Sequence, residues 1–295
     1  MTQRASTTTL EPWDEAWAAF LRDGKGVTTR KNYRSYAKAI DEFRREHGIT
    51  HPDEFTDALE GEFLERWGGS GTRWTYQKAL RAFFNWGIRN GWRHNAALAK
   101  RIVRTELDEP IKIADHALLT RAMGQASPRD RALLAFIYYT GARAGEARNA
   151  RIDYWHRSEH TMILEMPKTQ HRREIPVPEN GAREINRYID RVRPATRQPW
   201  LFLTTTRRDG DYRQLSESAL ASALRRLRDE LDLPTGDFSA QLLRRGRATE
   251  WAKATRDTHH LMRLGGWRDP RSLRRYLYQS LDVVPMDLVD KVRAR

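Results

Sequence analysis

The chain has 295 residues, room for two ordinary domains, and carries 53 Lys plus Arg against 39 Asp plus Glu, a formal charge of +14. Without cysteine it forms no disulfide and no thiolate metal site, and no apolar run is long enough to span a bilayer. A basic excess spread over folded-looking segments suits a polyanion, most simply nucleic acid.

Residues 1–10 are Thr-rich and lack an apolar stretch, so they read as a disordered lead-in rather than a signal peptide. Residues 11–104 have helical patterning and form the first expected domain. Thr28 or Thr29 is expected to cap a helix over 28–46, with Tyr33, Tyr36, Ile40 and Phe43 on one face. Arg30, Lys31, Arg34 and Lys38 occupy the rest of its surface. Gly69-Ser70-Gly71-Thr72 should break the chain. A helix over 75–90 follows, with Tyr76, Leu80, Phe83 and Phe84 inward, Arg73, Lys78 and Arg81 around it, and a stop at Asn90-Gly91. Most of Trp13, Trp17, Trp67, Trp74, Trp86 and Trp92 should be core, because helical aromatics pack against other helices.

Residues 105–112 read as a linker around Pro110, and 113–295 as the second domain. Asp115 starts one helix. Ser127-Pro128 starts another, which carries Leu133, Leu134, Ile137 and Tyr138 and ends at Thr140-Gly141. Thr161 to Pro178 is the one convincing β segment, a hairpin of two short apolar runs about a polar turn. After Pro194 the chain returns to helices. Leu220, Leu224, Leu227 and Leu231 make a stripe behind Ser216 and Ser218, and Met286, Val289 and Val292 mark a short amphipathic helix over 286–293. The fold class is therefore mainly α with a small β-hairpin or sheet.

Several local boxes share one resemblance. Thr140-Gly141-Ala142-Arg143-Ala144-Gly145-Glu146 is similar to the first arginine box of the tyrosine recombinase (phage integrase) family. Pro167-Lys168-Thr169 with Arg172-Arg173 and Ile175-Pro176 resembles its lysine-bearing hairpin. Residues 239–249, SAQLLRRGRAT, resemble its second arginine box, with Arg244 at the arginine position, and Leu264-Gly265-Gly266-Trp267 resembles its His- or Trp-bearing box. Tyr276 follows Trp267 by nine residues, the family's spacing to its nucleophile. One such box is weak evidence; five in order are strong. The resemblance covers essentially the whole chain and leaves no segment for an arm-binding domain.

The resemblance implies a two-domain clamp on double-stranded DNA: a helical core-binding domain and a catalytic domain. It implies a site-specific recombinase that cuts and rejoins strands through a 3′-phosphotyrosyl link, with no cofactor, metal or ATP. Tyr276 would be the nucleophile, with Tyr278 as its rival. Arg143 and Arg244 would clamp the phosphate, Lys168 would protonate the leaving oxygen, Trp267 would donate one N–H, and Glu146 would brace a cation. Guanidinium suits the clamp because it offers paired donors and keeps its charge. Phosphate and groove contacts are expected from Arg30, Lys31, Arg34, Lys38, Arg73, Lys78, Arg81, Arg172, Arg173 and Arg245. The assembly implied is a tetramer on two DNA sites, monomeric when free, not membrane-bound, and cytoplasmic with the nucleoid. The last helix would dock on a neighbour or cap its own domain.

Two positions depart from the pattern. Gln241 stands where the family usually has histidine, and an amide cannot titrate. Gln241 then holds a phosphate oxygen while water or Lys168 moves protons, or His171, His259 or His260 substitutes, or cleavage is weakened. Arg247 fills a usually apolar slot. A weakened DNA-binding relative, and a topoisomerase or hairpin-forming variant of the same chemistry, are the alternatives. No carboxylate cluster suggests a two-metal nuclease.

Overall fold

The computed structural model describes residues 12–23, 27–67, 70–91, 111–166, 171–207, 209–255, 257–273 and 276–277. The chain divides into two units, Met1–Leu107 and Asp108–Arg295. Lys168, Trp92, Tyr278 and the expected helix over 286–293 lie outside the described residues.

In the first unit the described elements are α1 (Trp13–Arg22), α2 (Val27–Glu46), α3 (Asp57–Glu65) and α4 (Ser70–Arg89). Their shared core is aromatic: Trp13, Trp17 and Phe20 from α1 meet Phe43, Phe63, Phe83 and Phe84, with Trp17 and Phe83 ring centroids 4.7 Å apart. Trp13, Trp17 and Trp86 are buried as expected, while Trp67 is half-buried and stacks on Tyr76 at 4.5 Å. Two helix starts differ from the reading. α2 begins at Val27, so Thr28 and Thr29 lie inside its first turn rather than ahead of it. α4 begins at Ser70, so Gly71 and Thr72 are helical. The first turn's N–H groups have no intrahelical partner in any case, so little is lost by placing Gly there.

The described elements of the second unit are α5 (His116–Gln125), α6 (Pro128–Thr140), α7 (Ala144–Arg148), β1 (Trp155–His156), β2 (Thr161–Met166), β3 (His171–Pro176), α8 (Glu179–Arg191), α9 (Glu217–Glu230), α10 (Ala240–Thr255) and α11 (Thr258–Gly265). α6 is the axis of the unit. Ala132 through Thr140 are all buried, as an all-round apolar helix requires, and α5, α8 and α10 pack against it. Its limits are those the sequence signals: the Ser127 hydroxyl accepts from the Asp130 N–H, and Gly141 closes the helix in the left-handed conformation. Asp115 and Ser216 cap α5 and α9 in the same way.

The β segment is a three-stranded antiparallel sheet in the order β1-β2-β3, one strand more than the expected hairpin. Its register pairs Met162 with Ile175, Leu164 with Arg173 and Glu165 with Arg172. Met162, Leu164 and Ile175 are buried, which fixes the inward face, and period-two alternation puts Arg173 on that face with them.

α10 approaches the segment before α5 closely. Ala114 N–H donates to Leu242 O at 3.0 Å, and a Cβ on Gly246 would lie 1.9 Å from Ala114 O. Alanine ordinarily gains about 1 kcal/mol over glycine within a helix, but here it meets a backbone carbonyl that cannot rotate away. Gly246→Ala should therefore destabilise the second unit by about 2 kcal/mol or more. Thermal unfolding checks this, and an unchanged or raised midpoint would refute the close approach.

Candidate active site

One buried carboxylate organises the site. Glu146 sits in the first turn of α7, just after the left-handed Gly141 turn, and its side chain is 2% exposed. Its Oε2 accepts the Arg143 backbone N–H at 2.8 Å, which ends the α7 N-terminus, and its Oε1 accepts Arg143 Nη1 at 2.9 Å. The sequence pattern Arg-Ala-Gly-Glu thus folds onto itself within one helical turn.

Two further guanidinium groups arrive from distant elements. Arg173 on β3 donates Nη1 to Oε1 at 2.7 Å and Nη2 to Oε2 at 2.8 Å, and its side chain is 11% exposed. Arg173, expected on the DNA-facing surface, is therefore corrected to a place inside the site. Arg244 on α10 is 6% exposed and stands 3.8 Å from Oε2. Its Nη1 donates to Gly141 O at 2.5 Å and its Nη2 to Gly265 O at 2.6 Å.

The Gly265-Gly266-Trp267 turn closes the pocket. Gly266 ends α11 at φ 62°, and its carbonyl accepts Arg143 Nη2 at 3.2 Å. A Cβ on Gly265 would lie 1.8 Å from the Trp267 ring, so only glycine lets the indole fold back there. The Trp267 ring lies 4.7 Å from Arg244 Cζ and 5.4 Å from the Tyr276 ring, and Tyr276 is buried. Arg143, Arg244, Trp267, Tyr276 and Glu146, read separately from the sequence, thus come together.

The electrostatics are lopsided, with three guanidinium groups around one carboxylate. Burial, then Arg143 and Arg173, pull the Arg244 guanidinium down to about 9, against an upward pull from Glu146 and Tyr276. Burial pushes Glu146 up, but hydrogen bonding and charge from Arg173, with Arg143 and Arg244, hold it below the usual carboxylate range. An incoming anion would restore the balance, so the pocket is built to receive negative charge.

Gln241 lies three residues before Arg244 on α10, which puts it on the same helix face, and it is exposed. His259 and His260 are exposed at the start of α11, where their N–H groups donate to the Asp257 cap. The helical rise puts them roughly 8 Å from the Gly265 end. Arg247 ion-pairs with Glu250 and lies against Tyr139 and Trp251, so its departure from an apolar slot is met by aromatic faces. His156, Glu159 and Glu174 bring possible metal-ligand atoms within 4.8 Å of one another, but at the solvent side of the sheet, with both glutamates more than half exposed. Glu174 points away from the Arg173 face, so this cluster is no part of the site.

Of the expected DNA contacts, Lys31, Arg34, Lys38, Arg73 and Lys78 are exposed on α2 and α4, and Arg30 is half-buried. Arg81 is also half-buried, with its Nε shielded from water. Arg172 is exposed and paired with Glu165 at 3.2 Å, and Arg245 reaches Lys112 O at 3.5 Å.

Residues 108–281 match the Phage integrase family. A putative integrase/recombinase, y4gC, of Sinorhizobium fredii (strain NBRC 101917 / NGR234) is 32% identical over 178 residues, covering 58% of this chain and 91% of that protein. Tyrosine recombinase XerC of Rhodospirillum centenum (strain ATCC 51521 / SW) is 30% identical over 154 residues, 45% of each chain. A lambda integrase dimer bound to a COC′ core site has a similar fold, with a TM-score of 0.69 at 18% identity over 90% of this chain and 93% of that one.

Proposed function

This chain belongs to the phage integrase family and is a site-specific tyrosine recombinase. From that premise we propose that Tyr276 attacks a DNA phosphodiester held between Arg143 and Arg244. The observation that carries this reading is the convergence of both arginines on Glu146, beside Trp267 and Tyr276.

The step balances simply. The Tyr276 oxygen forms a bond to phosphorus as the bond to the 5′ oxygen breaks, leaving a 3′-phosphotyrosyl link and a free 5′ hydroxyl. The phenol proton goes to water, because Gln241 cannot accept it, and Lys168 supplies the proton for the departing oxygen. Negative charge grows on the non-bridging oxygens, where the two guanidinium groups meet it with paired donors. Trp267 adds its indole N–H. The ester keeps the bond energy, so the reverse attack rejoins strands without ATP.

Affinity comes from phosphate contacts by α2 and α4 in one unit and by Arg172 and Arg245 in the other. Exchange takes two duplexes and hence four copies, assembled on the DNA from free monomers. Such a protein works in the cytoplasm, on the nucleoid. Among the described residues no helix is long and apolar enough to cross a membrane.

The test is a nicked duplex made from DNA that flanks the coding sequence. The wild-type chain should become covalently attached to the 3′ phosphate, with a free 5′ hydroxyl released. Attachment to a 5′ end, or cutting without attachment, overturns the reading. Binding to the same duplex should weaken by about a thousandfold between 50 and 200 mM salt, as for any protein that neutralises many phosphates. A salt-insensitive Kd would contradict the phosphate-dominated interface.

A further inference from the structure

We propose that Arg173 is a positioning residue for strand cleavage: from β3 it fixes both oxygens of Glu146, and through them it sets Arg143 and Arg244. The proposal rests on the cleavage reading above.

A surface cation would look different. Arg173 faces the same side of β3 as buried Ile175, and its two Nη atoms take the two oxygens of Glu146 at 2.7 and 2.8 Å. Side-on pairing of this kind fixes the plane of the carboxylate as well as its place. Arg143 then meets a carboxylate already oriented, at 2.9 Å, and its other terminal nitrogen reaches Gly266 O at 3.2 Å. Arg173 also lies against Gly266 itself, since a Cβ there would be 2.7 Å from Nη1. A closed ring results: β3 to Glu146, Glu146 to Arg143, Arg143 to the Gly266 turn, and that turn back to Arg173. Arg173 is carried on β3, five residues after Lys168 in sequence.

This arrangement separates positioning from plain stabilisation through pH. The charged groups facing Glu146 are Arg143 from its own loop, Arg173 from β3 and Arg244 from α10, with Tyr276 acting on Arg244. β2 brings Glu165, which is turned to Arg172, and α9 brings Glu217, which stands 3.9 Å from Arg148 at the far end of α7. Arg173 contributes the leading opposition to the burial that pushes Glu146 upward. Without Arg173 that burial is opposed less, and Glu146 takes up a proton at higher pH. A protonated Glu146 releases Arg143, so activity is lost on the acid side.

The experiment measures covalent adduct formation at saturating nicked DNA, from pH 5.5 to 8.5, alongside Kd. Arg173→Met should lower the first-order rate by about a hundredfold, the scale of a small misplacement of reacting groups, with Kd changed less than about threefold. It should also show an acid limb absent from wild type. Adding Glu146→Gln to Arg173→Met should remove that limb, because nothing is left there to titrate. Arg173→Lys should recover part of the rate and move the limb to lower pH; should Arg173→Met not fold, this variant carries the test. A rate loss whose pH profile parallels wild type, or a weakened Kd with the saturated rate intact, overturns the role of Arg173 while the cleavage reading stands. A wild-type chain that forms no adduct overturns both.

Discussion

Tyr276→Phe should abolish covalent protein–DNA adducts, lowering their formation by at least about 10⁴-fold, as loss of a nucleophile does. DNA binding should stay within about twofold of wild type, since affinity lies in phosphate contacts made elsewhere. The substitution is a clean one. The phenyl ring keeps its place against Trp267, whose centroid is 5.4 Å away, and keeps its share of the buried core. Only the hydroxyl is lost, which changes stability by about 1 kcal/mol at most. The assay is denaturing electrophoresis of the nicked-DNA reaction beside a binding titration. Adducts that persist in the variant would move the nucleophile to another residue, first of all Tyr278.

Arg244→Ala should cost both chemistry and stability. Oxyanion-type donors are worth about 10²–10³ in rate each, and Arg244 presents more than one. The side chain also joins α10 to two carbonyls that end other segments, Gly141 O and Gly265 O, and covers the Trp267 face. Its removal leaves those buried acceptors without a donor and takes one cation from Glu146, a loss of about 3–5 kcal/mol. Arg244→Lys should recover charge and part of the thermal midpoint, yet leave cleavage down by about a hundredfold, because an ammonium cannot bridge two separated carbonyls and also face a phosphate. A lysine variant with wild-type cleavage would show that charge alone suffices.

The sign of the Arg244 shift bears on this. Its folded-state value, about 9, lies below its ordinary 12.5. Between those values the unfolded chain binds more protons, so this group's contribution to stability rises with pH across that window and is at its least favourable below it. At neutral pH the guanidinium is charged, and holding it buried beside two other cations is a cost. On the cleavage reading, a phosphate bound there offsets that cost. Ligand-free and DNA-bound forms should therefore differ more in thermal midpoint for wild type than for Arg244→Ala.

Much of this site was legible in the sequence because its parts are local. Arg143 and Glu146 form their contact within one turn, Gly265 to Trp267 is a continuous turn, and Tyr276 follows at a fixed interval. The capped helices α5, α6 and α9 were legible for the same reason, each announced by an Asp or Ser and then a turn of helix. The inward place of Arg173 is masked in the sequence because a run of His171, Arg172 and Arg173 looks like solvated charge. The deciding signal was period two: counted back from Ile175, Arg173 falls on the inward side and Arg172 on the outward side. α8 is hard to see in the sequence because charged residues interrupt it, although Ala182, Ile185 and Tyr188 recur at helical spacing and are all buried. The two-residue β1 is too short to leave a pattern. The convergence on one glutamate lay beyond any local pattern, since the Arg244–Glu146 pair spans 98 positions.

That long reach has a consequence for the cell. The anion pocket draws on Gly141, Glu146, Arg173, Arg244 and Gly265, so a nascent or partly melted polypeptide holds isolated basic side chains and no assembled cradle. On the cleavage reading proposed above, DNA is cut only after synthesis has run past the last contributing segment and the fold has closed over it.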